Sequence, residues 1–108
     1  MLPAVSPDQV RAAVRAMLDE GPRVCELPEE QADQLLGLLR SLCALETGRP
    51  TTKSQGVEWV RRRVEPRWLR VVDAAQEARL RGSADRWDEH LWRSALELDR
   101  LLRERYLA

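Results

Sequence analysis

The sequence predicts an all-α protein, a single bundle of about five helices that spans residues 1–108. Apolar residues recur every three to four positions through most of the chain, which is the period of an amphipathic helix. No segment alternates polar and apolar residues as a half-buried strand would, and glycine, proline and capping residues separate the apolar segments. With 44% hydrophobic and 33% charged residues, the composition is that of a soluble globular protein.

The first two helices have clear boundary signals. Ser6 and Gln9 are spaced as a capping box at the start of the first helix, and Gly21 stops it. The second helix is expected from Pro28 to about Thr47, and it is apolar nearly all round, so it belongs at the centre of the bundle. Its apolar residues are Ala32, Leu35, Leu36, Leu38, Leu39, Leu42, Cys43, Ala44 and Leu45.

The last three helices follow short connectors. Thr52 and Gln55 are spaced as a second capping box, which places the third helix at about residues 53–63. The fourth helix is expected at about residues 66–81. Ser83 is placed to cap the fifth helix, which should reach nearly to the C-terminus.

The fifth helix has apolar residues on two faces. The residues of its predicted core stripe are Trp87, Leu91, Ser94, Ala95, Leu98 and Leu102. Trp92 and Leu96 fall roughly opposite this stripe at 100° per residue. We therefore predict that Trp92 and Leu96 form a contact surface for a second copy or another partner.

Lys53 is the only lysine of the chain, and it stands at the start of the third helix. Free backbone N–H groups at a helix N-terminus favour anions such as phosphates. An alternative interpretation needs no ligand: a capped helix start beside a solvated lysine.

The segment from residue 35 to residue 68, LLGLLRSLCALETGRPTTKSQGVEWVRRRVEPRW, resembles the centre of the helical C-terminal domain of the aminoglycoside adenylyltransferases that act on streptomycin and spectinomycin. A weaker similarity extends from about residue 5 to the C-terminus. The matching residues, in order, are Arg40, Thr47, Gly48, Thr52, Lys53, Glu58, Trp59 and Pro66.

The resemblance implies a role for this domain in a larger site. In that family a nucleotidyltransferase domain precedes the helical domain, and ATP with Mg²⁺ and the antibiotic bind between the two. Lys53 matches the lysine that contacts the ATP phosphates. Arg79 or a neighbour aligns with a tyrosine that contacts the nucleotide, and Glu30 is the nearest match for an acid that holds the drug. Glu30 could equally be an acid that only favours the helix N-terminus.

The chemistry of nucleotidyl transfer is not evident in these residues. A pair of carboxylates would be needed to hold Mg²⁺ against the triphosphate. Gly82-Ser83 is followed by Asp85, but the spacing of the acids differs from the family motif and the segment is predicted to be helical. His90, the only histidine, has no partner at a recognisable spacing, so we predict no catalytic and no metal-binding residue.

Charge is unevenly spread along a chain of net charge zero. Residues 1–48 carry four Arg and eight acids (−4), residues 49–82 carry nine basic residues and four acids (+5), and residues 83–108 carry five Arg and six acids (−1). The acidic part suits a polycationic ligand and the basic part suits phosphates. The densest basic cluster, at residues 61–70, would suit nucleic acid, an interpretation that the interleaved acids disfavour.

Cys25 and Cys43 show no metal-binding spacing and are predicted to be reduced thiols, with Cys43 buried. Neither a signal peptide nor an apolar run of about 20 residues is recognisable. These features predict a cytoplasmic protein.

Two functional hypotheses remain. The first is a ligand-closing domain of an aminoglycoside-adenylyltransferase-like protein, inactive alone. The alternative is a stand-alone helical interaction module, without ligand chemistry, that uses Trp92 and Leu96 to bind a partner.

Overall fold

The computed structural model describes residues 5–107 and confirms the all-α prediction. Within these residues five α-helices follow one another, and one 3₁₀ turn leads into the fourth. The helices are α1 (Pro7–Asp19), α2 (Pro28–Thr47), α3 (Lys53–Arg61), α4 (Leu69–Arg81) and α5 (Glu89–Leu107), with the 3₁₀ turn at Pro66–Trp68.

Helix α2 forms the centre of the bundle, as its apolar sequence predicts. It contacts α1, α3, α4 and α5. Leu35, Leu36 and Leu39 are completely buried, and they pack in one core with apolar residues of the other helices. A helix apolar on most of its circumference is stable only where neighbours cover it on several sides, and this position provides that cover.

The core stripe predicted for α5 is confirmed at its central and C-terminal residues, while Trp87 lies before the helix, so the predicted start of the helix is wrong. Ala95, Leu98 and Leu102 are fully buried. The helix begins at Glu89 rather than after Ser83, because Asp88 is the residue whose carboxylate accepts the N–H of Leu91, at 2.8 Å. The Ser83 N–H instead bonds the carbonyl of Ala78 at 3.1 Å and closes the end of α4.

Helix α3 packs directly on the backbone of α2. A Cβ atom added to Gly56 would lie 2.5 Å from the backbone nitrogen of Arg40 and 2.7 Å from the carbonyl carbon of Leu39. Thr51, just before α3, donates its hydroxyl to the carbonyl oxygen of Arg40 at 2.6 Å. Two contacts therefore hold the start of α3 against the middle of α2.

We expect Gly56→Ala to lower the free energy of unfolding by about 2–3 kcal/mol, because the new methyl group meets backbone atoms that cannot move aside alone. Gly37→Ala in α2 is the matched control, since nothing lies within 4 Å of a Cβ at that position. There the better helix propensity of alanine should leave stability unchanged or raise it by up to about 1 kcal/mol. Urea unfolding of both variants measures the difference, and equal stabilities would contradict the close packing.

Candidate functional site

The start of α3 has the capping box that the sequence predicts. The Thr52 hydroxyl oxygen accepts the Gln55 N–H at 3.1 Å, and the Gln55 side-chain oxygen accepts the Thr52 N–H at 2.8 Å. This reciprocal pair fixes the first turn of the helix. Lys53 is the first helical residue, so the box also fixes where its side chain starts.

The expectation that Lys53 is a solvated side chain is wrong. Its ammonium group forms an ion pair with the carboxylate of Asp33, and only 20% of the lysine side chain is exposed, against 59% for Asp33. The two residues come together because α3 packs across α2 at Gly56, within reach of the first half of α2. The ammonium is thereby held in place by a partner on another helix.

A depression lies beside this ion pair, between the first half of α2 and the end of α4. Its volume is about 210 Å³, below the roughly 300–1,000 Å³ of most sites that enclose a drug-sized ligand. Asp33 and Glu29 line it from α2, and Arg79 lines it from α4. Asp33 therefore contacts Lys53 and also belongs to the depression that contains Arg79.

Comparison with known proteins identifies the family. The family model described as aminoglycoside adenylyltransferase, C-terminal domain, matches residues 1–103. The chain belongs to this family. No curated protein and no solved structure matches it.

The structure of this domain separates the predicted site residues into two groups: Lys53 and Arg79 near the depression, and Glu30 away from it. Lys53 and Arg79 lie near one depression, linked through Asp33. Glu30 does not line that depression, and its carboxylate accepts the backbone N–H of Glu26 at 3.2 Å. Its assignment as a drug-binding acid stays a prediction.

Sequence reasoning missed Asp33 and Glu29. Both lie on α2, and the Glu29 carboxylate also accepts the backbone N–H of Ala84 at 3.4 Å. Helical spacing alone could have placed Asp33 one turn from Glu29 on the same face. Nothing in the sequence indicated that this face meets α3 and α4.

Glu46, in the last turn of α2, joins α2 to the C-terminal part of α3 and the residues after it. Its carboxylate accepts the indole N–H of Trp59 and is 2.6 Å from a guanidinium nitrogen of Arg63. The Arg63 guanidinium lies 4.6 Å from the centre of the Trp59 ring, and Tyr106 packs edge-on against the same ring at 5.2 Å. The hydrogen bond from Arg63 and, to a smaller extent, the hydrogen bond from Trp59 lower the pKa of Glu46.

The basic cluster at residues 61–70 is partly neutralised by its neighbours. Arg61 pairs with Asp73, Arg63 with Glu46, and Arg67 with Glu65 at 3.1 Å. These partners reduce the positive field that a nucleic-acid backbone would meet.

Trp92 and Leu96, the predicted contact residues, lie on the side of α5 that faces the connector between α1 and α2. Trp92 is half-buried and Leu96 is 44% exposed. Their role as an interface stays a prediction.

Three further findings concern metal binding, membrane spans and Cys43. Among residues 5–107 no group of three or more His, Cys, Asp or Glu side chains could hold a metal ion. Within the same range no helix has the length and hydrophobicity required to cross a membrane. Cys43 is buried, as predicted, and burial raises the pKa of its thiol.

We expect Glu46→Gln to lower the free energy of unfolding near pH 7 by about 1 kcal/mol, a value reduced for the half-exposed carboxylate. Because the folded-state pKa of Glu46 is lowered, its stabilising effect is present above the unfolded-state pKa of about 4.5. The effect is lost as the pH falls through the folded-state pKa. The difference between parent and variant should therefore shrink on acidification, as measured by urea unfolding from pH 7 down to pH values below about 4.

Glu77→Gln is the control for Glu46→Gln. Glu77 is about as exposed and pairs with Arg81 of its own helix at 2.8 Å, and such an i,i+4 pair contributes only about 0.3–0.5 kcal/mol. A difference for Glu46→Gln that stays constant with pH, or that grows on acidification, would contradict the assignment.

Proposed function

We propose that this domain closes over the nucleotide and the aminoglycoside of a nucleotidyltransferase site, and that it contributes the phosphate-binding half of that site. The observation that supports this most is the ion pair between Lys53 and Asp33 at the edge of the depression that contains Arg79. Membership of the aminoglycoside adenylyltransferase family supplies the substrate class.

Lys53 is the main phosphate contact in this proposal. Lys53 is the first residue of α3, where free N–H groups and the helix dipole favour an anion. Asp33 holds the lysine ammonium in place before a ligand arrives, which reduces the entropy lost on binding. It also competes with the phosphate, so the affinity of the isolated domain should be low.

Arg79 is the second phosphate contact. It is exposed at the end of α4, and the resemblance aligns Arg79 or a neighbour with a tyrosine that contacts the nucleotide. A guanidinium can bind phosphate oxygens through two parallel N–H groups, which a tyrosine cannot do. The nucleotide would then be bound more by charge and less by ring contact.

The acids of α2 are the proposed contacts for the aminoglycoside. Glu29 and Asp33 line the depression, and Glu30 follows Glu29 on the outside of the helix. Carboxylates suit the ammonium, guanidinium and hydroxyl groups of such a drug. The ligand-bound state would thus place a polycation and a polyphosphate next to each other.

The residues of this chain take part in no reacting step. Mg²⁺ prefers oxygen ligands and binds through carboxylates together with the substrate phosphates. Residues 5–107 hold no cluster suited to a metal ion. The metal-binding carboxylates and the catalytic base would come from the nucleotidyltransferase domain, and the isolated chain should not adenylylate streptomycin or spectinomycin.

We expect the isolated domain to bind ATP or pyrophosphate with a Kd of about 1 mM, or about −4 kcal/mol, because half of a site lacks Mg²⁺ and the opposing wall. Binding should weaken with added salt. Lys53→Ala should abolish it without unfolding the domain, since the Thr52/Gln55 capping box remains. A chemical-shift titration that follows the backbone amides of residues 52–56 measures both effects.

Two acid variants sharpen this titration. Asp33→Asn removes the competitor of the phosphate and should tighten binding by about threefold to fivefold, the effect of one partly exposed charge. Asp73→Asn is the matched control, because Asp73 is 55% exposed and pairs with Arg61 of another helix. Tighter binding in Asp73→Asn, or shifts confined to residues 61–70, would place the phosphate at the basic cluster and contradict the proposal.

A further inference from the structure

A second cavity lies on the side of α5 that carries Trp92 and Leu96. It has a volume of about 520 Å³, within the range of small-molecule sites. Trp92 and Leu96 line it from α5, and Val24 lines it from the connector between α1 and α2. Val24 is 93% exposed, so it covers little of the opening. The proposed phosphate and aminoglycoside contacts are not part of this cavity.

Two buried polar side chains also line this cavity, and each has at least one polar atom without a hydrogen-bond partner. Gln31 of α2 is 1% exposed and Asp99 of α5 is 4% exposed. Within residues 5–107, the buried side-chain atoms without a partner are Gln31 Oε1, Gln31 Nε2 and Asp99 Oδ2. Buried polar groups are almost always hydrogen-bonded, since an unpaired one destabilises the fold. Both elements of a binding site, an apolar wall and unsatisfied polar groups, therefore occur together.

The charge of Asp99 is already balanced. Its other oxygen, Oδ1, is 2.6 Å from the Arg103 guanidinium, and the Arg103 side chain is only 17% exposed. Burial raises the pKa of Asp99, and the bond from Arg103 opposes this. A second cation is not needed at this place, so a neutral group suits the free oxygen better.

The three unpartnered atoms define the complementary group. Gln31 Oε1 and Asp99 Oδ2 accept hydrogen bonds, and the two N–H groups of Gln31 Nε2 donate them. A primary carboxamide has two N–H donors and one carbonyl acceptor, which matches this set. A carboxylate lacks the donors, and an ammonium lacks the acceptor.

We propose that this cavity binds a small molecule with an apolar body and a primary carboxamide head. The body lies against Trp92, Leu96 and Val24, and the head bonds Gln31 and Asp99. The terminal torsions of Gln and Asp are soft, so a small rotation turns their free atoms toward the cavity. A second copy of this chain laid across Leu96 and Val24 would cover the apolar atoms and leave the buried amide unsatisfied.

The test uses 3-phenylpropanamide as the probe and 3-phenylpropanoate, of the same shape, as its control. We expect a Kd of about 1 mM for the amide, the range of a fragment of this size. Backbone and side-chain amide shifts should change at residues 23–25, 31, 92, 96 and 99. The carboxylate should bind at least about tenfold more weakly, since it offers no donor to Asp99.

Gln31→Leu is the decisive variant, because it replaces the buried amide by an apolar group of similar shape that does not disturb the fold. It should weaken amide binding by about tenfold, the effect of two lost hydrogen bonds. Equal binding of amide and carboxylate, or undiminished binding in Gln31→Leu, would overturn the proposal. So would the absence of shifts with the amide, or a dimer in light scattering that Trp92→Glu dissociates.

Discussion

The close approach of α3 to α2 at Gly56 is the constraint on which the remaining structure depends. With no side chain at this position, the α3 backbone reaches the backbone of α2 at Leu39 and Arg40. That contact fixes the position along α2 at which α3 starts. Lys53 then reaches Asp33 in one direction, and Trp59 reaches Glu46 in the other. A larger residue at position 56 would move both pairs at once.

The two ends of the α2–α3 pair differ in the contacts that they make. At one end, a cluster of hydrogen bonds and ring contacts connects α2, α3 and α5; it consists of Glu46, Trp59, Arg63 and Tyr106. At the other end, Lys53 and Asp33 form an ion pair whose carboxylate is largely exposed to water. An ion pair with one partner largely exposed contributes little to stability. Lys53 can therefore exchange Asp33 for a ligand phosphate without loss of the fold.

The parts of the fold that the sequence predicted correctly are local. Both capping boxes involve residues three positions apart, and the central place of α2 follows from its own apolar residues. The start of α5 was predicted wrongly because Ser83 and Asp88 are both good caps, and the choice depends on how α4 ends. For the candidate site, Lys53 could be identified from its position at a helix start. Its partner Asp33 could not, because it lies 20 residues earlier on another helix. The same holds for Gln31 and Asp99, whose missing hydrogen bonds appear only once α2 and α5 are packed.

The single lysine allows a direct measurement of the phosphate contact. Lysine labelled with ¹³C at the ε position gives one signal from this chain, that of Lys53. We expect this signal to shift on addition of pyrophosphate, with saturation at about the millimolar range, and to shift further in Asp33→Asn at the same concentration. A lysine signal that stays unchanged while the amides of residues 61–70 shift would contradict the role of Lys53 and the closing function built on it.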